Sequence, residues 1–534
     1  MLRALFSTAR DADHNPAGGF RAPAANHADA RRRARAWRIR TRAAMVPAPP
    51  RFSAGLAALL LVASLLLLGC GRAAEYSGAE PAADAGTASN AVLQDYVDTP
   101  DPAYRWTLVN SQPADGYTLH AIEMTSQTWL TEAEVDRPAW THWLMVVEPD
   151  EIRSDHAFLY ISGGQNGGDP PEQANPLTLQ PALATGSFTA ELRMVPNQPL
   201  NFVGDDYGER VEDELIAYGW DKFLRGEDAI WLARLPMTKA AVRAMDAMTA
   251  FAASEDGGGN DVNRFVVAGG SKRGWTTWTT AMVDDRVTAI APIVIDLLNL
   301  EPSFEHHWKA YGFWAPAIGD YVHEGITDWF GTPEYLELQK IVEPYHHLDK
   351  LTMPKYLINA TGDQFFLPDS AQFYFDDLLG EKHLRYVPNT EHSLGGSDAA
   401  VGFLAFYQAI LDGVERPDVD WTIETDDAGG AAISAWVANG AEPSQVLLWR
   451  ASNPETRDFR VDTIGRTWTS TAVEPGEDGA WVGAIDAPER GWTAFYLEFE
   501  FPGPGEAPFL FSTEIKVVPE DLPFGWPPET ATSE

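Results

Sequence analysis

Hydrophobic residues follow two different periods between residues 93 and 416. Short continuous apolar runs, typical of buried strands, alternate with longer stretches in which apolar residues recur every three or four positions, as on one face of a helix. That alternation predicts an α/β domain with a mostly parallel sheet. The predicted strands are Tyr104–Asn110, Thr118–Ser126, Thr141–Val147, Ala157–Ser162, Ala190–Val195, Arg264–Ala268, Val287–Ile295, Lys355–Asn359 and Leu384–Pro388. The predicted helices are Asp213–Leu224, Lys239–Ala253, Trp275–Met282 and Ser397–Leu411.

An aromatic, helix-forming insert at about residues 299–351 interrupts this alternation. The insert is too long for a plain connecting loop. Two interpretations fit it equally well from the sequence. It is either a cap that covers an active site or a set of additional core helices.

Beyond residue 417 the helical period disappears. Short alternating runs separated by Gly, Pro and Asp turns predict a β-sandwich-like domain over residues 417–520, with a tail at 521–534. Such a domain could bind carbohydrate, bind a partner or only stabilise the chain, and the pattern does not choose among these roles.

The N-terminal residues have a different composition. Residues 1–44 are rich in Ala, Arg and Pro and lack apolar periodicity, which predicts a disordered extension, or a start codon assigned too far upstream. Residues 45–70 have the order of an export signal, in which Arg51 precedes an apolar run that closes with Leu67-Leu68-Gly69-Cys70. This closing tetrapeptide resembles the lipobox of bacterial lipoproteins, which implies lipid modification of Cys70. Residues 71–92 are predicted to be a flexible tether.

These N-terminal features predict export and a location in the cell envelope. The lipid on Cys70 would anchor the protein to a membrane, on its periplasmic or extracellular face. An uncleaved apolar anchor helix over residues 52–71 is the alternative, since about 20 uncharged residues can span a bilayer.

Charge and cysteine content narrow the possible partners. The chain carries 39 Lys and Arg against 77 Asp and Glu, a net charge of −38, so its surface repels phosphate backbones and we expect no nucleic-acid partner. Because Cys70 is the only cysteine, the chain cannot form an internal disulfide framework.

Two adjacent histidine pairs, His306-His307 and His346-His347, are the candidates for a metal site. Each pair offers at most one ligand to a given site, because neighbouring helical residues point about 100° apart. We therefore expect no metal and no cofactor.

The segment after Arg264–Ala268 is the first candidate for chemistry. The strand runs directly into Gly269-Gly270-Ser271 and then into a helix. This arrangement predicts a nucleophile elbow, a tight turn that projects a serine hydroxyl above the sheet edge and aims helix N–H groups at developing negative charge. The usual elbow has glycine two residues after the serine, whereas here Arg273 occupies that place and Gly274 follows.

Two further residues complete a candidate triad. A serine nucleophile needs a base, and the base needs a carboxylate that orients it. Asp363 follows the strand Lys355–Asn359, and His392 lies in a loop after the next predicted strand. The chain order Ser271, Asp363, His392 is the order found in α/β-hydrolases.

A glycine-rich turn after Ala157–Ser162 provides candidate donors for an oxyanion hole. We expect the backbone N–H of Lys272 to act together with that of Gly164 or Gln165. The side chains of Lys272 and Arg273 either attract an acidic substrate or, in the simpler interpretation, pair with a nearby carboxylate.

Other residues compete for the same roles. Asp296, which follows Val287–Ile295, is an alternative to Asp363 as the acid. Asp369 precedes a predicted helix, where capping the helix is the ordinary role. We expect the aromatic rings of Phe365 and Phe366 to belong to the core rather than to a binding site.

Four segments, taken together, point to a known family. They are Val195–Leu200 (VPNQPL), Gly270–Gly274 (GSKRG), Gly362–Phe366 (GDQFF) and Val387–His392 (VPNTEH). They resemble the PhoPQ-activated pathogenicity-related family, which includes autocrine proliferation repressor-like proteins and belongs among the α/β-hydrolases. The resemblance covers roughly residues 93–516. It implies an exported α/β-hydrolase-like protein without a defined natural substrate, with Ser271, Asp363 and His392 as the expected triad.

The leading hypothesis is an extracytoplasmic serine hydrolase of carboxylesterase or peptidase type. It would cleave an ester or amide bond of a small molecule or peptide through an acyl-enzyme. The alternative is a non-catalytic surface binding or signalling protein built on the same scaffold. A third hypothesis is an envelope-stabilising factor whose activity lies after residue 417.

Overall fold

The computed structural model describes residues 86–526, with side chains from residue 91 onward. The predicted N-terminal extension (1–44), the export signal with Cys70 (45–70), most of the predicted tether and the end of the tail all lie outside these residues. Within residues 86–526, no helix is both long enough and apolar enough to cross a bilayer.

Seventeen strands and ten α-helices form the described part of the chain. The strands are β1 Arg105–Ala114, β2 Tyr117–Thr128, β3 Ala139–Pro149, β4 His156–Ile161, β5 Phe188–Leu192, β6 Arg264–Gly270, β7 Val287–Ile293, β8 Lys355–Ala360, β9 Lys382–Val387, β10 Val419–Thr425, β11 Ala431–Val437, β12 Gln445–Asn453, β13 Thr469–Ala472, β14 Trp481–Ile485, β15 Trp492–Phe501, β16 Phe509–Ser512 and β17 Lys516–Val518. The helices are α1 Gly86–Asp98, α2 Pro176–Thr185, α3 Glu212–Leu224, α4 Arg234–Ala252, α5 Lys272–Val283, α6 Leu300–Tyr311, α7 Gly319–His323, α8 Pro333–Val342, α9 Ala399–Asp412 and α10 Val461–Ile464.

Fourteen of these strands form one sheet, in the order β1-β2-β3-β5-β4-β6-β7-β8-β9-β16-β15-β12-β13, with β17 paired to β15. The five pairings from β5 to β9 are parallel. The pairings from β1 to β5 are antiparallel. In this order β5 lies between β3 and β4, out of chain order, and the strands from β5 to β9 are parallel. This is the α/β-hydrolase arrangement predicted from the sequence.

The parallel strands are covered on both faces, which explains their continuous apolar runs. Every residue of β5 and of β8 is buried. One face of the sheet packs against α4, α5 and α1, where Met245, Trp278 and Leu93 join a single core cluster. The other face packs against α9 through Phe403 and Phe406. The parallel order places the carboxyl ends of β4, β6, β7, β8 and β9 side by side along one edge.

The insert between β7 and β8 is predominantly helical and combines both predicted roles. On its inner side, Tyr335 and Leu338 of α8 are buried in the main core cluster. Other residues of the insert cover the edge of the sheet where Ser271 lies, and they line a cavity described below. The end of the described chain packs against the insert, since the ring of Trp526 stacks on Phe330 with centroids 6.3 Å apart.

The predicted separation of residues 417–520 into a domain of their own is wrong in one respect. Strands β10, β11 and β14 do form a separate antiparallel sheet that packs against β15, as in a sandwich. The other strands, however, continue the central sheet, because Ser512 of β16 pairs with Leu384 of β9. The buried guanidinium of Arg385 in β9 also makes an ion pair with Glu498 of β15. The two regions therefore share a sheet and a core.

The tether prediction for residues 71–92 also needs correction at its end. Helix α1 begins at Gly86, so the last seven of those residues are helical. The helix is held by tertiary packing, because Leu93 and Val97 are each 2% exposed within the main core cluster. The sequence does not indicate that this helix belongs to the core. Its first residues are small or polar, and two core residues in one helix give only a weak periodic signal.

We expect truncation after residue 416 to abolish folding rather than to release a stable hydrolase domain. Removal of β15 and β16 would expose the edge of β9 and remove Glu498, the more buried of the two carboxylates that pair with the buried Arg385. The remaining partner, Asp398, is about half exposed, so the buried guanidinium would lose most of its compensation. Soluble yield and the cooperativity of thermal unfolding test this in a variant that ends at residue 416. A soluble fragment with cooperative unfolding would contradict the shared core.

Candidate active site

Ser271 lies on the turn between β6 and α5, at the carboxyl edge of the sheet. Its backbone has φ 57° and ψ −123°, a conformation that costs a non-glycine residue on the order of 1–3 kcal/mol. The turn is held in part by the Ser271 N–H, which donates to the Ile293 carbonyl at 2.8 Å. A Cβ at Gly269 would lie 2.6 Å from the Arg273 carbonyl oxygen, and one at Gly274 would lie 3.0 Å from the Gly269 oxygen. The turn therefore requires glycine at 269 and at 274, the second of these one position later than in the usual elbow.

Asp363 and His392 form a hydrogen-bonded pair from the loops that follow β8 and β9. His392 Nδ1 lies 2.9 Å from Asp363 Oδ1 and 2.8 Å from Oδ2. Asp363 is 4% exposed, and it also accepts the Phe365 N–H at 2.7 Å. The other ring nitrogen, Nε2, is buried and has no partner among the described residues. A carboxylate on Nδ1 fixes the ring so that Nε2 is the nitrogen available to accept a proton.

The structure brings the three predicted residues to one place without completing the last contact. Ser271 and His392 line the same cavity. No hydrogen bond at 3.5 Å or less joins Ser271 Oγ to His392 Nε2. Contacts of this kind often tighten only when a ligand binds. Ser271 and the Asp363–His392 pair thus share one cavity, without a hydrogen bond between the hydroxyl and the imidazole.

A segment from the C-terminal region braces both loops of the pair. The Val461 N–H donates to the Gly362 carbonyl at 3.0 Å, and the Gly362 N–H donates to the Thr390 carbonyl at 3.0 Å. Asn389 donates through Nδ2 to the Trp468 carbonyl at 3.0 Å and accepts the Trp468 N–H at 2.9 Å. These bonds fix the two turns that carry the carboxylate and the imidazole.

The structure assigns Asp296 a different environment from that of the acid beside His392. The hydroxyls of Tyr374 and Tyr386 donate to its two carboxyl oxygens at 2.5 Å and 2.7 Å. Burial raises the pKa of Asp296 to about 7. Of the two candidate acids, Asp363 is therefore the one that holds the imidazole.

The predicted oxyanion donors lie near the elbow. The turn that contains Gly164 and Gln165 follows β4, which pairs directly with β6. The backbone N–H groups of Gly164, Gln165 and Lys272 donate to no acceptor within residues 86–526. A Cβ at Gly163 would lie 2.7 Å from a terminal nitrogen of Arg273. Glycine in this turn thus allows the Arg273 side chain to pass beside it.

The side chains of Lys272 and Arg273 are held in ion pairs. Lys272 Nζ lies 2.8 Å from Glu212 Oε2 and 2.9 Å from Asp213 Oδ2. Arg273 lies 2.5 Å from Glu212 and donates through Nε to the Val195 carbonyl. Burial alone would raise the pKa of Glu212, but the two cations lower it to about 2. The interpretation that these residues pair with carboxylates is confirmed.

Ser271 lies where two cavities meet. The larger, which we call the histidine-side cavity, has a volume of about 230 Å³ and is lined by Ser271, His392 and apolar side chains of β4, β7 and α9. The smaller, the cap-side cavity, has a volume of about 50 Å³ and lies beneath the insert, with Ser271, Ile318, Tyr321 and Phe365 in its wall.

Two residues of the site were not predicted as such. Phe366 belongs to the main core cluster and Phe365 packs against it, as expected. The Phe365 ring also lies 4.3 Å from the His392 ring, centroid to centroid, and both phenylalanines line the cap-side cavity. The position of Phe365 two residues after Asp363 could have indicated this contact. Arg234 is buried in α4, donates from one terminal nitrogen to the Lys272 carbonyl at 2.7 Å, and also lines that cavity. Nothing in its sequence context marks it.

The remaining candidates have structural contacts. Asp369 does not cap the helix that follows it. Instead it makes a buried ion pair with Arg457 at 2.5 Å and contacts His306 at 3.1 Å. His307 accepts the Ala315 N–H at 3.0 Å. Within the described residues, no group of three His, Cys, Asp or Glu side chains is arranged to hold a metal.

Comparison with known proteins places the chain in a family. The sequence profile of the PhoPQ-activated pathogenicity-related protein family matches residues 93–460. The chain belongs to this family. Autocrine proliferation repressor protein A of Dictyostelium discoideum is 38% identical over 456 residues, which cover 81% of this chain and 91% of that protein. The resemblance inferred from the four sequence segments is confirmed.

Solved structures of esterases are more distant from this family member. Acetyl xylan esterase 1 from a Thermoanaerobacterium species is 15% identical, with a TM-score of 0.39, over 59% of this chain and 91% of that chain. A glucuronoyl esterase from Solibacter usitatus is 13% identical, with a TM-score of 0.37, over 60% of this chain and 91% of that chain. The α/β-hydrolase fold of the present chain rests on its own strand order.

The pKa of Asp296 gives a prediction for pH dependence. Between its ordinary value near 4 and about 7, the folded protein binds a proton that the unfolded chain has lost. Stability therefore falls as pH rises through this window. Asp296→Asn imitates the protonated carboxyl, so we expect the melting temperature of this variant, relative to the unmodified protein, to increase from pH 5 to pH 8. A difference that is constant with pH would contradict a protonated Asp296.

Proposed function

We propose that this protein is an exported serine hydrolase that cleaves an ester or amide bond through an acyl-enzyme. The observation that carries the proposal is the state of His392. One ring nitrogen is held by a buried carboxylate, and the other is buried, unpartnered and in the wall of the cavity that Ser271 also lines. A buried unpartnered nitrogen is costly in a purely structural histidine. It is the arrangement that a general base requires.

Each residue has one role in the proposed reaction. Ser271 Oγ attacks the substrate carbonyl carbon while His392 Nε2 takes the hydroxyl proton. The same proton then passes to the leaving oxygen or nitrogen as the bond to the acyl carbon breaks. Asp363 keeps the ring in position and stabilises the imidazolium. Water repeats the sequence on the acyl-enzyme and releases the acid, with Nε2 again as the base.

Backbone groups would stabilise the tetrahedral intermediate. The Lys272 N–H lies at the start of α5, where the helix dipole favours negative charge, and the N–H of Gly164 or Gln165 provides a second donor. Donors of this type contribute roughly 10²–10³ in rate each. The ion pairs of the Lys272 and Arg273 side chains stabilise the elbow, because they link the start of α5 to the acidic start of α3.

The central test is hydrolysis of a chromogenic ester by purified protein, with matched variants. Ser271→Ala should reduce kcat/KM to near background. Asp363→Asn should leave binding intact and lower kcat by about 10⁴-fold, because the imidazole loses its orienting carboxylate. Ser444→Ala, at an exposed serine directly before β12 that lines neither cavity, is the control and should change neither constant.

Labelling by a fluorophosphonate probe separates a wrong substrate from a wrong mechanism. Labelling that Ser271→Ala abolishes supports the proposal even if the chosen ester is poor. A folded protein that no such probe labels, and that hydrolyses no ester or amide offered, would overturn it.

A second function is favoured by one finding. The relative at 38% identity is named an autocrine proliferation repressor, and a surface signalling protein could keep this scaffold without turnover. The missing hydrogen bond between Ser271 and His392 is compatible with that role. Under this alternative, Ser271→Ala would retain the full biological effect in a proliferation assay, whereas the hydrolase proposal predicts its loss.

We also propose that the protein is anchored outside the cytoplasm by a lipid on Cys70. The support is the sequence: the chain has one cysteine, and it directly follows an apolar segment preceded by Arg51. We expect Cys70→Ser to move the protein from the membrane fraction to the soluble extracytoplasmic fraction and to abolish incorporation of a labelled fatty acid. Unchanged fractionation and labelling would contradict the anchor.

A further inference from the structure

Ser271 is the residue that the linings of the histidine-side and cap-side cavities share. The two cavities extend from the serine in different directions. The first lies between the sheet and α9, with Phe158, Ile358 and Phe403 in its wall. The second lies between the elbow and the insert, with Ile318 in its wall. A substrate whose reacting carbonyl carbon lies at Ser271 can therefore place one substituent in each cavity.

The position of His392 tells which substituent enters which cavity. In the proposed reaction, Nε2 must deliver a proton to the leaving atom, so the leaving group lies on the histidine side of the carbonyl. His392 lines the larger cavity and does not line the smaller one. The leaving group thus occupies the histidine-side cavity, and the acyl group occupies the cap-side cavity.

The two volumes set different size limits. An apolar cavity of roughly 150 Å³ accommodates benzene. The cap-side cavity, at about 50 Å³, is one third of that and has room for about two or three carbon atoms. The histidine-side cavity, at about 230 Å³, has room for more than one aromatic ring.

The chemistry of the walls restricts the substituents further. Apolar and aromatic side chains form most of both linings. In the cap-side cavity, Lys272 and Asp213 neutralise one another at 2.9 Å. Arg234 lies over the Trp275 ring, 4.9 Å from its centroid, and its buried Nε has no partner within the described residues. This remaining positive charge excludes a cationic acyl group.

We infer that the substrate is an ester of a short, non-cationic acyl group with a larger apolar alcohol, the acyl chain lying under the insert and the alcohol beside α9. The inference rests on the proposed hydrolase function and adds its substrate class. In the reaction, the acyl carbon–oxygen bond breaks, the alcohol leaves from the histidine-side cavity with the proton from Nε2, and water later releases the short acid.

The experiment uses the full-length protein and a grid of esters. The acyl group varies from acetyl through butanoyl to octanoyl, and the alcohol varies between ethanol and 1-naphthol. We expect kcat/KM to fall by about tenfold or more between butanoyl and octanoyl esters, since the methylenes that the small cavity cannot hold gain no burial there. We also expect naphthyl esters to have a lower KM than ethyl esters of the same acid.

Two variants test the assignment of each cavity. Ile318→Ala enlarges the cap-side cavity and should raise the octanoyl-to-acetyl ratio of kcat/KM several-fold. Ala400→Leu, in the wall of the histidine-side cavity, should lower the naphthyl-to-ethyl ratio and leave the acyl ratio as it was. Leu336→Ala, at a residue 40% exposed on α8, is the matched control in the insert and should change neither ratio.

The outcomes distinguish this inference from the function on which it rests. If Ser271 is labelled by a small fluorophosphonate and esters are hydrolysed, but long acyl chains are preferred or Ile318→Ala alters the alcohol ratio instead, the inference is wrong and the hydrolase proposal stands. If there is neither labelling nor hydrolysis, both are wrong.

Discussion

The hydrogen bond between His392 and the buried carboxylate of Asp363 is the interaction on which the proposed function depends. A carboxylate that is 4% exposed is costly unless it is hydrogen-bonded. Here the imidazole and a backbone N–H of its own loop satisfy it. The pair in turn sets which ring nitrogen is free, and His392 lines the same cavity as Ser271 on its strained turn. The proposed chemistry at the serine requires that this pair be kept in place.

The rest of the fold keeps the pair in place. Parallel strands bring the loops after β8 and β9 to the same edge as the elbow. The C-terminal region then braces these loops, through Val461 on one and Trp468 on the other. Its strands continue the same sheet beyond β9. The region predicted as an appended module is thus part of the support for the site, which gives a reason for its presence that does not require a binding function.

Much of this could be predicted from the sequence, because the parallel half of the sheet is buried on both faces and its strands are continuous apolar runs. The nine predicted strands correspond to β1–β9, and the four predicted helices to α3, α4, α5 and α9. The elbow, the acid and the histidine were located by the strand ends that they follow. The order of these three residues along the chain was sufficient to place them at one edge.

Other features depended on contacts between residues distant in sequence. Helix α2 and the core role of α1 have no strong period of their own. Arg234 contacts a carbonyl of another helix. The role of Asp296 is set by Tyr374 and Tyr386, and that of Asp369 by Arg457, and each of these partners is distant in sequence from the aspartate it contacts. The continuation of the sheet from β9 to β16 spans more than a hundred residues. A local pattern of alternating residues cannot distinguish that continuation from a separate sandwich.

The central claim is that Ser271, His392 and the two backbone donors act on one substrate carbonyl. A crystal structure of the protein after reaction with a small fluorophosphonate tests it most directly. We predict a covalent bond from phosphorus to Ser271 Oγ, the phosphoryl oxygen within about 3 Å of the Lys272 N–H and of Gly164 or Gln165, and His392 Nε2 within about 3.2 Å of an oxygen on phosphorus. An adduct on another residue, or a phosphoryl oxygen that points away from these donors, would contradict the account.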